Sequence, residues 1–366
     1  VKKNEFRKEL GQLIMMGVAE HSLSAEEKKV IKDIQPSGVI YFKRNVQSPA
    51  QLAQLSHEIF ELSEKLPLIG IDQEGGWVAR LGDPFTVFPG NDYLGRAYIK
   101  TKKDTHTKAQ ATAMAKELKT IGVNVNFTPL ADICTNPNNP IIPPKRAFGD
   151  EPKIVSKLVA STVRAYRKQK VISCAKHFPG HGDSTTDSHL VLPFINISKK
   201  TLMTRELLPF QSAIRAGVPT IMTAHVVYPQ IDPLPATLSK KILEGILRKK
   251  LGFKGVLISD DMEMSAIAGN MNVPQASVEA IKAGVDLLLV CKKLDLALEV
   301  YEEIVRSVES GKLSKRRIEQ SLERISKMKR AYLKENEFKK LLSKRKFEWP
   351  THQKLSEKIK KFEVLK

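Results

Sequence analysis

The sequence predicts an α/β chain closed into a (β/α)8 barrel of the TIM type, a single catalytic domain over 1–330 followed by a basic C-terminal extension over 331–366. Three observations predict it. Eight short apolar runs recur along the chain, longer amphipathic stretches separate them, and unusual polar residues stand at the ends of several runs. Eight repeated βα units favour a closed barrel over an open doubly wound sheet, and in such a barrel the chemistry sits where strands end.

The strand candidates are residues 13–18, 38–42, 68–71, 123–127, 171–175, 220–223, 255–259 and 285–290. The first also reads as the end of a helix. Helices are expected over 49–66, 107–121, 154–168, 199–216, 239–250 and 273–283, and again over the charged stretch 294–330, which turns at 309–314. Three strands are announced by one local signal: Ile121-Gly122-Val123, Ala216-Gly217-Val218 and Ala283-Gly284-Val285 each end a helix on glycine and open a strand on valine. Glycine in a left-handed cap lets the chain reverse. Beyond residue 330 the chain reads as helical or partly disordered, with Trp349-Pro350 as a break.

A chain of 366 residues that is 42% hydrophobic suits a globular core. Its net charge of +20 comes disproportionately from residues 327–366, where 14 Lys/Arg oppose 5 Glu. That tail lacks the interleaved aromatics of a nucleic-acid module, and Lys344, Arg345 and Lys346 read as a solvated face, so no nucleic-acid partner is expected. Cys134, Cys174 and Cys291 are widely spaced in apolar sequence and read as buried thiols, with no disulfide framework or zinc knuckle. No run of about eighteen apolar residues occurs, and charge interrupts the N-terminus, so neither a membrane span nor a signal peptide is expected. A cytoplasmic, monomeric protein is the expectation.

The polar residues at strand ends carry the chemistry. Run 68–71 leads into Asp72-Gln73-Glu74-Gly75-Gly76 with Arg80 beyond; run 123–127 leads to Asp132 and a loop ending at Arg146. Run 171–175 enters Lys176-His177-Phe178-Pro179-Gly180-His181-Gly182, then Asp183 and Asp187-Ser188-His189; later runs end in His225 and in Asp260-Asp261. Each has a plainer reading. Asp72, Asp132, Asp260 and Asp261 suit helix caps, Arg146 could pair with Asp150, and His225 could be a satisfied packing histidine. A metal site is conceivable from His177, His181, Asp183 and His189, but these all lie on one loop, and no metal is expected. There is no Gly-x-Ser-x-Gly elbow and no phosphate-cradling glycine loop. What remains is a carboxylate nucleophile or stabiliser with a histidine acid/base, a set suited to a polyhydroxylated neutral substrate and needing no cofactor.

The Ile71-to-Gly76 motif, the Lys176-to-Gly182 motif with Asp187-Ser188-His189, and Ser259-Asp260-Asp261-Met262 together resemble glycoside hydrolase family 3, and within it the single-domain bacterial β-N-acetylhexosaminidases of peptidoglycan recycling. The resemblance runs from about residue 10 to residue 330, in order, and leaves the tail outside. It implies a retaining exo-β-N-acetylglucosaminidase acting on peptidoglycan-derived muropeptides, with Asp260 as nucleophile and His189, assisted by Asp187, as general acid/base. It also implies that Asp72, Arg80, Arg146, Lys176 and His177 bind the sugar. A family 3 β-glucosidase or an N-acetylglucosamine phosphorylase is an alternative, as is a non-catalytic polymer binder using the basic tail. Trp77 departs from the resemblance, since arginine usually follows the double glycine; its indole can stack on a sugar or pack under the loop.

Overall fold

A computed structural model describes residues 2–343 and 346–362. Its eight parallel strands close in sequence order: β1 (Ile14–Gly17), β2 (Gly38–Tyr41), β3 (Leu68–Ile71), β4 (Val125–Asn126), β5 (Ile172–Phe178), β6 (Thr220–Thr223), β7 (Val256–Asp261) and β8 (Leu287–Val290), with β8 returning to β1. All eight expected strands are present, and the ambiguous first run is a barrel strand. Burial on both faces explains why these runs read as nearly continuous apolar sequence rather than as alternation: β2, β3 and β8 are buried at every residue. Inside the barrel, Gly70 makes room for Met15 and Phe127; a Cβ there would lie 2.6 Å and 2.8 Å from their side chains.

The helices agree with their amphipathic periods, apart from their ends. The one opening at Pro49 stops at Leu62 rather than continuing to residue 66, and that over Val273–Ala283 matches the sequence reading. Gly122, Gly217 and Gly284 have φ of +81°, +82° and +131°, so the three helix-to-strand reversals use the conformation that glycine tolerates. Periodicity missed Ala25–Ile34 and Asn91–Thr101, which are short, and a small hairpin of Val227–Tyr228 with Asp232–Pro235 in the loop after β6.

The extension is helical at Glu335–Lys339 and Pro350–Lys360, and it lies on the barrel's outer helices. Phe338 stacks on Phe60 at 5.1 Å, Trp349 stacks on Phe85 at 5.0 Å, and the Ser356 hydroxyl donates to the Val87 carbonyl at 2.7 Å. Trp349-Pro350 breaks the extension as expected, with proline opening the next helix where its missing N–H costs nothing. Lys344 and Arg345 lie outside the described residues. No helix among the described residues is long and apolar enough to cross a membrane.

Candidate active site

The C-terminal ends of the strands surround a cavity of about 370 Å³ lined by Asp72, Arg80, Arg146, Lys176, His177, His189 and Asp260, together with Trp77, His181 and Asp261. Seven of the eight residues singled out from the sequence thus face one space. Asp187 is the eighth; it does not line the cavity but touches it through His189.

At the end of β3, Asn126 and Gln73 form a reciprocal clamp: Asn126 Nδ2 donates to the Gln73 carbonyl at 2.8 Å and Asn126 Oδ1 accepts from Gln73 N at 2.9 Å. This fixes the backbone between Asp72 and Glu74. Both carboxylates then meet Lys176 Nζ, at 2.7 Å each, on a side chain only 2% exposed. Arg146 closes on Glu74 with a two-pronged contact, Nε at 3.0 Å and Nη2 at 2.8 Å, and Arg80 reaches Asp72 at 3.3 Å. Arg146 therefore pairs with Glu74, not with the nearby Asp150.

Burial by itself would raise both carboxyl pKa values, but Lys176 and the arginines outweigh it, and Asp72 and Glu74 are held below the usual carboxylate range. Lys176 in turn stays firmly protonated: burial opposes its charge, and Asp72 and Glu74 more than compensate. The cluster carries two carboxylates against three cations, and Arg80, whose side chain is 29% exposed, lines the cavity.

Glu74 and Asp132 are the residues that sequence reasoning undervalued. Asp132 seemed a possible helix cap, yet it is completely buried, receives His177 Nδ1 at 2.7 Å, and accepts the His181 backbone N–H at 2.8 Å. Since a carboxylate only accepts, Nδ1 of His177 carries a proton, and Nε2 is the ring nitrogen that Asp132 leaves unengaged. Burial pushes the Asp132 carboxyl up, but His177 and its hydrogen bonds prevail and lower it. The only sequence signal for this support was the pair of polar residues at adjacent strand ends.

The loop after β5 divides its histidines among separate partners. His177 binds Asp132, His189 Nδ1 donates to Asp187 Oδ1 at 2.8 Å, and Asp183 pairs with Arg205 at 2.7 Å. His181 is buried with Nε2 3.0 Å from Ser188 Oγ, and burial, followed by the charge of His177, pushes its pKa down to about 4. Among the described residues no group of three His, Cys, Asp or Glu is placed to hold a metal ion. Ser188, between the two members of the dyad, also accepts Ala266 N at 3.2 Å. It ties the His189 segment to the loop that follows Asp260.

The two loop glycines do different work. Gly180 has φ of +133°, a conformation open mainly to glycine, whereas Gly182 is needed for contact: a Cβ would sit 1.6 Å from the Ile133 carbonyl oxygen. Gly182 is thereby fixed by close packing. Gly182→Ala is expected to displace the loop and cost about 1–3 kcal/mol of stability by overpacking, measured by urea denaturation; an unchanged midpoint would contradict this contact.

At the end of β7, Asp260 Oδ1 accepts its neighbour's N–H, from Asp261, at 2.8 Å, leaving the rest of its carboxylate to the cavity. Asp261 is tied down instead, accepting from Glu263 N at 3.1 Å and Cys291 N at 3.3 Å, and burial raises its pKa to about 6, helped by Glu263 and Asp260. His225 is buried with both ring nitrogens engaged, by Thr237 Oγ1 at 2.8 Å and the Asp261 carbonyl at 3.0 Å. It packs beneath the site and holds the strand end.

The site combines a cation-rich floor, a free carboxylate at one strand end, and at the mouth a histidine, 60% exposed, oriented by an aspartate. Comparison with known proteins agrees with that chemistry. The beta-hexosaminidase of Neisseria meningitidis serogroup C is 38% identical over 294 residues, covering 80% of this chain and 81% of that protein. Beta-hexosaminidase A of Pseudoalteromonas piscicida is 37% identical over 84% of this chain, which spans only 55% of that longer protein. Among solved structures, NagZ from Neisseria gonorrhoeae in complex with N-trifluoroacetyl-D-glucosamine superposes with a TM-score of 0.81 at 31% identity, over 96% of this chain and 98% of that one. A glycoside hydrolase family 3 beta-N-acetylglucosaminidase from Paenibacillus sp. str. FPU-7 gives 0.90 at 36% identity, over 97% of this chain and 68% of that one. The pattern of the glycosyl hydrolase family 3 N-terminal domain matches residues 5–328, and the chain belongs to glycosyl hydrolase family 3.

Proposed function

We propose that this protein is a retaining exo-β-N-acetylglucosaminidase that removes terminal β-linked N-acetylglucosamine from peptidoglycan-derived muropeptides, as a monomer in the cytoplasm. The observation that carries the reading is the pairing, around one cavity, of the Asp260 carboxylate with His189, whose Nδ1 is held by Asp187 at 2.8 Å. Asp260 attacks the anomeric carbon to form a glycosyl-aspartate, while His189 Nε2 delivers a proton to the departing oxygen. The same nitrogen then takes a proton from water as the ester is hydrolysed. Using an imidazole where most such enzymes use a second carboxyl group is reasonable because Asp187 accepts from Nδ1, orients the ring and leaves Nε2 for the proton transfer. Asp72, Arg80, Arg146, Lys176 and His177 hold the sugar hydroxyls, and their lining of one cavity supports that role.

Proton donation matters most when the leaving group is a poor one. His189→Ala is therefore expected to reduce kcat/KM by about 10²- to 10⁴-fold on alkyl or sugar aglycones and much less on activated aryl N-acetylglucosaminides. A series of aryl glycosides of graded leaving-group pKa checks it. A loss of the same size across the series would remove His189 from the acid role.

A further inference from the structure

Trp77 is the feature of this cavity that the reaction does not use. The residue is 68% exposed, although indole is among the larger apolar surfaces a protein can bury, and it lines the cavity mouth. The turn that carries it is held on all sides. Glu74 N and Gly75 N donate to the Val78 carbonyl at 2.8 Å and 3.2 Å, and Gly76 N donates to the Phe88 carbonyl at 2.8 Å. Gln73 Oε1 accepts from Arg80 N at 2.8 Å and Leu81 N at 3.1 Å. Gly75 and Gly76 have φ of +97° and +60°, and a Cβ on Gly76 would lie 2.6 Å from Gly90 Cα. The indole thus stands on a backbone already fixed, so little ordering entropy opposes stacking on it.

The cavity grades from buried to exposed, and this locates the indole along the substrate. Lys176, 2% exposed, marks the floor where the transferred sugar's hydroxyls are held; His189 and Trp77 share the open rim. The group that receives the proton from His189 is the departing one, so the rim is where the aglycone lies. We propose that Trp77 is a stacking platform for a saccharide aglycone, contacting the C–H face of the ring linked to the departing oxygen and selecting sugar-linked over small leaving groups. This rests on the glycosidase reading above and adds the class of aglycone to it.

The test compares Trp77→Ala and Trp77→Phe with the wild type on N,N′-diacetylchitobiose, which presents a sugar aglycone, and on β-N-acetylglucosaminyl fluoride, which presents none. An aromatic contact of ordinary strength predicts that Trp77→Ala loses about three- to tenfold in kcat/KM on the disaccharide, stays within about twofold on the fluoride, and that Trp77→Phe recovers most of the loss. Equal losses on both substrates would put the indole on the transferred sugar, and no loss on either would leave it without a substrate contact; both overturn the platform. If the wild type hydrolyses neither substrate, the glycosidase reading itself falls and takes the platform with it.

Discussion

Asp260→Asn is expected to abolish turnover, lowering kcat/KM on an aryl β-N-acetylglucosaminide by at least about four orders of magnitude, the scale seen when a covalent nucleophile is removed. The fold should survive the change. Asp260 lies at the end of β7, where its carboxylate accepts the Asp261 N–H at 2.8 Å, a bond that an amide oxygen can also accept. The strand pairing there runs through backbone groups that the substitution leaves in place. A urea midpoint equal to that of the wild type, together with lost activity, is the expected pair of results. Substantial activity in a cleanly purified variant would mean that another group attacks the anomeric carbon.

The largest effect on stability is expected from Lys176. Replacing it with methionine keeps the bulk but strands Asp72 and Glu74 against one another, with only Arg80 and Arg146 left to offset them. Removing one partner of a buried ion pair costs about 3–5 kcal/mol, because the remaining charge stays desolvated. The pH dependence has a definite sign. Asp72 and Glu74 have folded pKa values below their ordinary 3.8 and 4.5, so the stability they contribute is present above those values and is lost as pH falls below them. Without Lys176 both carboxyls protonate more readily, so the stability gap between wild type and Lys176→Met should be widest near neutrality and narrow towards about pH 4. Denaturant titrations at several pH values check this. A gap that is small at pH 7, or that widens on acidification, would contradict the cluster's electrostatics.

Much of this architecture could be read from the chain because the barrel imposes a simple rule. A strand buried on both faces must be apolar throughout, as 68–71 and 287–290 are, and it must end in polar sequence where the chain reaches solvent and substrate. Asp72, Lys176 and Asp260 stand out for that reason. Glu74 and Asp132 did not, since an acidic residue after a strand resembles a helix cap until the partner arrives from elsewhere in the chain, and Arg146 lies 72 residues from Glu74. The hairpin of Val227–Tyr228 with Asp232–Pro235 was equally hidden: strands of two and four residues are too short to show a period. The packing of Gly182 was hidden too, because sequence reports a glycine but not the carbonyl that crowds it.

The barrel, the cation-rich floor and the dyad at the rim all serve one claim, that Asp260 forms a covalent bond to the transferred sugar. The competing route uses the substrate's own acetamido group as the nucleophile and needs no enzyme ester. Incubation with a 5-fluoro N-acetylglucosaminyl fluoride, followed by intact-protein and peptide mass spectrometry, separates the two. The predicted result is one added glycosyl group per chain, mapped to Asp260 and absent from Asp260→Asn. Attachment at any other residue, or complete turnover of a slow substrate with no enzyme-bound sugar at any time, would contradict it.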